Sequence, residues 1–358
     1  MTDVEIFDSK RDATDWNSLL DRLGRRLQDI YLKPEYGALY CSKNTESKLF
    51  AYQEGIVIWV YSFLLRGLPA TYREIAGSDA RDIETPYGYG GPVTNSEDPA
   101  FVERANSAFQ KWCNEWGIVA EFVRFHPLLD NQEARRPYID PLLDRGTVSL
   151  GLAGDAPIIS RFDGNARNMV RRFEQEGATI EETDLSEDFD RFVEIYKETM
   201  HRVSADAFYY FDLDHFDRLR RMTLGPAKLY VVKLDGRITA GAIFLMGGEW
   251  MHYHLSATDP DHRVPGATNA VILCAAEIGR TKGLKRLHLG GGNSNAEDDP
   301  LFRFKRRMGT DTHDFWIGRR IHNEEVYRAV CNEWRRDNAD VAHTYGGRLL
   351  CYHYRRNP

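Results

Sequence analysis

Chemistry concentrates in one basic run, Phe302-Arg303-Phe304-Lys305-Arg306-Arg307. Forming an amide from an ester passes through a tetrahedral oxyanion, and one fixed donor aimed there supplies roughly 3–4 kcal/mol. Lys305 is the candidate for that task; a cation there can equally hold the phosphates of an RNA. By itself the run also reads as a solvated basic face, and Arg303, Arg306 and Arg307 each read as surface charges. Phe304 can stack on a nucleobase, worth roughly 1–3 kcal/mol, or pack in a core. Arg202 follows an amphipathic helical pattern and precedes the aromatic run Phe208-Tyr209-Tyr210-Phe211. A guanidinium there can clamp a diphosphate or carboxylate bidentately, or simply meet the helix dipole. Gly290-Gly291-Gly292 ends a strand pattern, and consecutive glycines let backbone N–H groups approach a ligand. The triplet serves a tight turn equally well, and it has neither the spacing of a dinucleotide fingerprint nor a P-loop lysine. His252 and His254 alternate along one strand, but no third residue has metal-ligand spacing, so no metal is expected. Tyr210 and Tyr253 fit a groove lining or a core.

The elements that must hold these residues occur twice. Residues 48–61 read as a hairpin turning at Glu54-Gly55, and residues 228–244 as a second one turning at Asp235-Gly236. Each is followed by a helical pattern, Pro99 to Trp116 and about Gly266 to Lys282, stopped by Gly117 and Gly283. A strand comes next in each copy, Val119 to Phe125 and Leu284 to Leu289. Helical segments precede both hairpins, Trp16 to Ile30 and Phe189 to His201. Pro86-Tyr87-Gly88-Tyr89-Gly90-Gly91-Pro92 reads as an ordered loop. A helix over Val326 to Trp334 and a short strand around Arg348 to Tyr354 close the chain. The pattern predicts an α+β fold, a mixed sheet with flanking helices, in two tandem domains spanning 1–155 and 156–358.

At 358 residues the chain is long enough for two cores, and 42% hydrophobic with 28% charged residues excludes a disordered or fibrous chain. Five cysteines without a CxxC pair argue against a disulfide framework or zinc site and for a reducing compartment. The acidic N-terminus is no secretory signal, and the longest apolar run, Ile56 to Leu65, falls short of the about 20 residues of a membrane span. A cytoplasmic protein without a membrane span is expected. The net charge of −7 lies in residues 1–155, with 17 Lys/Arg against 24 Asp/Glu; residues 156–358 hold 30 of each. Within 278–320, 10 basic face 5 acidic residues, which suggests an RNA-facing surface on the second domain.

His288-Leu289-Gly290-Gly291-Gly292 followed by Pro300 to Gly309 resembles the signature of the FemABX family, the Fem-type aminoacyl transferases of the GNAT superfamily. Residues 196–202, ending in Thr-x-x-Arg, resemble its helix. Tyr253-His254-Leu255-Ser256-Ala257 resembles the strand beside its acceptor pocket, and residues 86–92 its first-domain loop. The long coiled-coil arm of some members has no counterpart. The resemblance implies two GNAT-like domains that transfer an amino acid from aminoacyl-tRNA to an amine of a peptidoglycan precursor or a peptide-like small molecule, with no further cofactor. It implies catalytic roles for Lys305 and Phe304, and substrate contacts for Arg202, Tyr209, Tyr210, Tyr253, Ser256, Gly290, Gly291, Gly292 and Arg303. The alternative is an acyl-CoA-dependent N-acyltransferase. Its pyrophosphate loop would be Arg263-Val264-Pro265-Gly266-Ala267-Thr268, degenerate because Pro265 lacks an N–H and Thr268 replaces a small residue.

Overall fold

A computed structural model describes residues 2–136, 138–183, 187–203 and 209–354. The chain divides into two compact units, one of residues 1–27, 31–144 and 315–358, the other of residues 28–30 and 145–314. A single cut after residue 155 was expected; the structure instead returns the last 44 residues to unit 1.

The chain begins with β1 (Thr2–Asp8), α1 (Ala13–Leu20) and α2 (Pro34–Ala38). The helix predicted over Trp16 to Ile30 stops early. Past Leu20 come 3-10 turns, Arg25–Leu27 and Ile30–Leu32. Gly24 favours a break there, and tertiary contacts take over the segment after it. Ile30 backs onto Gly247, and Asp29 bonds His252. The first hairpin is β2 (Thr45–Glu54) and β3 (Val57–Gly67), turning at Gly55 with φ +63°. After it come α3 (Arg73–Ala76), β4 (Arg81–Glu84), β5 (Val93–Thr94), α4 (Pro99–Glu115) and β6 (Ile118–Arg124). Asp98 caps α4, and Gly117 ends it at φ +63°.

Then follow β7 (Leu142–Gly151), α5 (Gly164–Gln175), β8 (Thr179–Thr183), α6 (Glu187–Arg202) and α7 (Leu213–Met222). The second hairpin is β9 (Ala227–Leu234) and β10 (Arg237–Gly247). β11 (Trp250–Thr258), α8 (Ala267–Thr281), β12 (Arg286–Gly291) and α9 (Pro300–Arg306) complete unit 2. β13 (Asp311–Ile321), α10 (Glu324–Asp337) and α11 (Ala342–Tyr345) end the chain.

The strand order of unit 1 is β1-β2-β3-β4-β6-β13 and that of unit 2 is β8-β9-β10-β11-β12-β7. Every neighbour is antiparallel except β4·β6 and β11·β12. The two sheets are therefore the same mixed sheet built twice. Strand β13, which closes the sheet of unit 1, follows unit 2 in sequence; this is why one cut cannot separate the units. Aromatic and aliphatic residues of α4 and the hairpin fill the core of unit 1, with Phe50, Trp59, Phe109 and Trp112 in ring contact. In unit 2, α5 and α8 cover one face of the sheet over Tyr230, Phe244, Met251 and Leu287.

The closing strand predicted around Arg348 to Tyr354 is instead a 3-10 turn, Cys351–His353. Neighbours on a strand point to opposite faces, yet Tyr352 Oη and His353 Nε2 both reach Asp82, at 2.9 and 2.8 Å. That shared carboxylate selects the turn.

Candidate active site

In unit 2 the parallel ladder between β11 and β12 runs only from Trp250↔Arg286 to His252↔His288. Beyond it β11 continues to Thr258 and β12 to Gly291 without pairing to each other, so the two strands part. At the parting point β11 carries a bulge. Ile243 of β10 pairs Leu255 while Phe244 pairs Tyr253, leaving His254 as the extra residue. Bulges of this kind re-aim backbone and side chains next to active sites. Burial pushes His254 down to about 3, with the nearby His215 and His252 acting in the same direction, so its imidazole is neutral at physiological pH.

The far side of the opening is the glycine triplet. Gly290 adopts φ +78°, a conformation that favours glycine. Gly291 O accepts a hydrogen bond from Lys305 Nζ at 2.7 Å, and Gly292 O accepts one from Arg145 at 3.0 Å. Lys305 lies on α9 with only 8% of its surface exposed. Burial pulls its pKa down to about 8; Arg145 adds to that and the Asp299 charge opposes it. Asp299 caps α9, and its carboxylate is occupied by the N–H groups of Asn293, Ser294, Leu301 and Phe302 and by the Ser294 hydroxyl. Burial opposes its charge, but those donors, Phe302 N–H foremost, hold its pKa below the usual carboxylate value. Lys305 is thus a buried ammonium bonded to a carbonyl, beside a carboxylate already engaged elsewhere.

The structure sorts the residues expected from sequence into two groups. Lys305, Gly290, Gly291 and Gly292 meet at the end of β12. Phe304 and Tyr253 both pack, partly buried, against the core of unit 2; Tyr253 lies 5.5 Å from Phe244 ring to ring. Burial raises the Tyr253 phenol to about 12 against the opposing hydrogen bond of Ser256. Arg303 is exposed on the same helix.

The second group lies around the end of α6. Thr199 Oγ1 bonds the backbone of Thr258 in both directions, at 3.3 and 3.4 Å, which fixes α6 to the last residue of β11. Arg202 follows one turn later and is exposed. Tyr210 is exposed with its ring 5.1 Å from that of His201, and the Tyr209 carbonyl accepts from Tyr196 Oη at 3.0 Å. Phe208 lies outside the described residues. His252 Nε2 sits 2.7 Å from Asp29 Oδ2, so its ring is engaged there.

Sequence reasoning missed Asp299, Arg145 and the bulge at His254. The Asp-Pro pair at 299–300 is a helix-start signal that could have revealed the first; nothing local marks the other two.

Residues 160–306 match the Acetyltransferase (GNAT) domain family. The chain thus carries a GNAT-type acyltransferase domain in unit 2 and repeats the strand order of that domain in unit 1. Its fold is that of FemX, whose crystal structure superposes with a TM-score of 0.70 at 13% identity, over 91% of this chain and 99% of that one. The chain is also similar to a C-terminal domain assigned to a lysylphosphatidylglycerol synthetase of Agrobacterium fabrum, with a TM-score of 0.56 at 12% identity over 93% and 97% of the two chains. The tandem GNAT protein from the clavulanic acid biosynthesis pathway, in a structure without acetyl-CoA, gives 0.52 at 9% identity over 89% and 98%. No curated protein matches the sequence. Among the described residues no helix is long and apolar enough to cross a membrane.

Proposed function

We propose that the protein transfers an aminoacyl group from aminoacyl-tRNA to the amine of a peptidoglycan precursor or another peptide-like acceptor in the cytoplasm. The observation that carries this reading is the buried Lys305 ammonium held at Gly291 O, where β11 and β12 part. The donor ester lies in the opening, the acceptor amine attacks its carbonyl carbon, and the ammonium faces the developing oxyanion. The tRNA 3′-hydroxyl leaves as the amide forms. Phe304 offers a face to the terminal base, and the exposed Arg303, Arg306 and Arg307 meet phosphates. Arg202, Tyr209 and Tyr210 receive the acceptor, with Tyr253 and Ser256 on the strand between the two groups. The fold of FemX and the similarity to a domain named for lysylphosphatidylglycerol synthesis are both compatible with an aminoacyl cargo.

Two of the donors that a coenzyme A cradle would use are missing from the turn before α8. A pyrophosphate cradle needs free N–H groups at a helix start. Here Ala267 N–H donates to Val264 O at 3.2 Å, Pro265 has none, and Gly266 is buried with its Cα turned against the Met169 carbonyl. Calorimetric titration of the whole protein with aminoacyl-tRNA and with acetyl-CoA tests the reading. Binding and turnover of aminoacyl-tRNA alone support it. Turnover of acetyl-CoA without RNA binding replaces it with the acyl-CoA N-acyltransferase.

A further inference from the structure

α5 and α9 join end to end. Asp163 N–H, at the cap of α5, donates to Arg307 O just beyond α9 at 2.7 Å. The loop before α8 lies against the middle of α5, where a Cβ on Gly266 would collide with the Met169 carbonyl. The buried stripe of α5 is Ala166, Val170 and Phe173, which faces the core of unit 2. Its outward side carries the half-buried Arg167, which donates to the Phe162 carbonyl, and the exposed Arg171 and Arg172, with the exposed Glu174 and Glu176 at its C-terminal end. Arg306 and Arg307, at the end of α9 that meets the cap of α5, are exposed, as is Arg263 in the loop before α8. At 1.5 Å per residue, the 12 residues of α5 span about 18 Å. The acidic residues near α9, Glu297 and Asp298, lie before its N-terminus, at the end away from α5.

We propose that this arginine surface of α5 grips the phosphates of the tRNA acceptor stem while the 3′ end reaches Lys305. The inference rests on the aminoacyl-tRNA reading above. Charge complementarity selects the partner. The exposed guanidinium groups of Arg171 and Arg172 present forked donors to phosphates, and α5 is tied at its cap to the end of the helix that carries Lys305. It gives the reaction a donor contact separate from the reacting ester, so full-length tRNA binds more tightly than its terminal trinucleotide.

The test uses the whole protein, fluorescein-labelled deacylated tRNA as the probe, and salt between 50 and 200 mM. The variant is Arg171→Gln/Arg172→Gln, two exposed side chains whose loss leaves the core untouched. The control is Arg335→Gln/Arg336→Gln on α10 of unit 1, with the same change in charge. Removing two duplex phosphate contacts is expected to lower the log–log salt slope by about 1.8 and to weaken binding at 50 mM salt by about tenfold or more. The control should keep the wild-type slope. With a short aminoacylated CCA oligonucleotide as donor, the α5 variant should transfer at the wild-type rate. A wild-type protein that binds tRNA while the α5 variant keeps its affinity and slope overturns this inference and leaves the proposed function standing. No tRNA binding by the wild type at 50 mM salt, with turnover of acetyl-CoA, removes the function and this inference with it. Binding of wild type, but not the α5 variant, to equimolar phosphatidylglycerol–phosphatidylcholine vesicles in the absence of tRNA binding reassigns the surface to a membrane and overturns the proposal.

Discussion

The two units contain the same sheet and treat its one parallel pair in opposite ways. In unit 1 the pair stays closed: β4 and β6 pair from Arg81↔Ile118 to Glu84↔Phe122 with one register shift after Arg81, and a further bridge joins Gly90 to Phe125. In unit 2 the pair opens after three residue pairs, and Lys305 bonds the Gly291 carbonyl at the free end of β12. Their buried cations differ in the same sense. Arg135 of unit 1 is fully buried and bonds Glu121 through two nitrogens, with Asn106 Oδ1 at 2.7 Å and His322 on the same carboxylate. Burial would lower its pKa, but Glu121 outweighs that and raises it. Lys305 meets a carbonyl instead, and its pKa falls. A buried charge with every partner present fixes a fold; one with a carbonyl for company is held ready for a charge that arrives with the substrate.

The largest effect expected from this contrast is on stability and belongs to unit 1. Glu121→Gln leaves Arg135 with no carboxylate and should cost about 3–5 kcal/mol of unfolding free energy, measured by denaturant titration. Turnover per folded molecule should stay near wild type. The next effect is on activity and belongs to unit 2. Lys305→Met should lower kcat about 10²–10³-fold, or roughly 3–4 kcal/mol of transition-state stabilisation, without loss of the folded state. Its stability should also change with pH. Lys305 titrates near 8 when folded and near 10.5 when unfolded. The unfolded chain therefore binds the extra proton between those values, and wild-type stability gains a contribution as pH rises through that window. Lys305→Met should lack this gain.

Gly292→Ala should have a smaller effect. Its Cβ would stand 2.6 Å from Asp299 Cγ and 3.0 Å from Phe302 Cβ. Asp299 cannot give way without losing the cap of α9, so about 1–2 kcal/mol should be lost, with a matching fall in activity as α9 moves. Arg202→Ala should be the mildest. A bidentate clamp was one reading of Arg202; the side chain is exposed, and its loss should raise the acceptor KM by no more than about fivefold while leaving the donor KM unchanged.

The repeated hairpin, helix, glycine and strand were legible because hydrophobic period and turn glycines are local signals. Gly117 and Gly283 stop their helices where the sequence places them, at φ +63° and +74°. The length of the first helix was not legible, because Asp29 is drawn away by His252, a residue more than two hundred positions downstream. The exchange of the closing strand β13 was hidden for the same reason. At the candidate site, Lys305 and the three glycines could be named from residue type and resemblance. Their meeting point could not, because it depends on where β11 and β12 part. Local sequence shows neither that separation nor the bulge at His254.

The central claim is that the Lys305 ammonium serves transfer in the opening of unit 2, and the pH profile of kcat/KM for the wild type beside Lys305→Arg tests it most directly. The wild-type profile should fall above a pKa of about 8 as the ammonium loses its proton. A guanidinium keeps its charge throughout that range, so the variant should be slower but show no descending limb near pH 8. A limb at the same pH in Lys305→Arg, or transfer at the wild-type rate by Lys305→Met, would contradict the account.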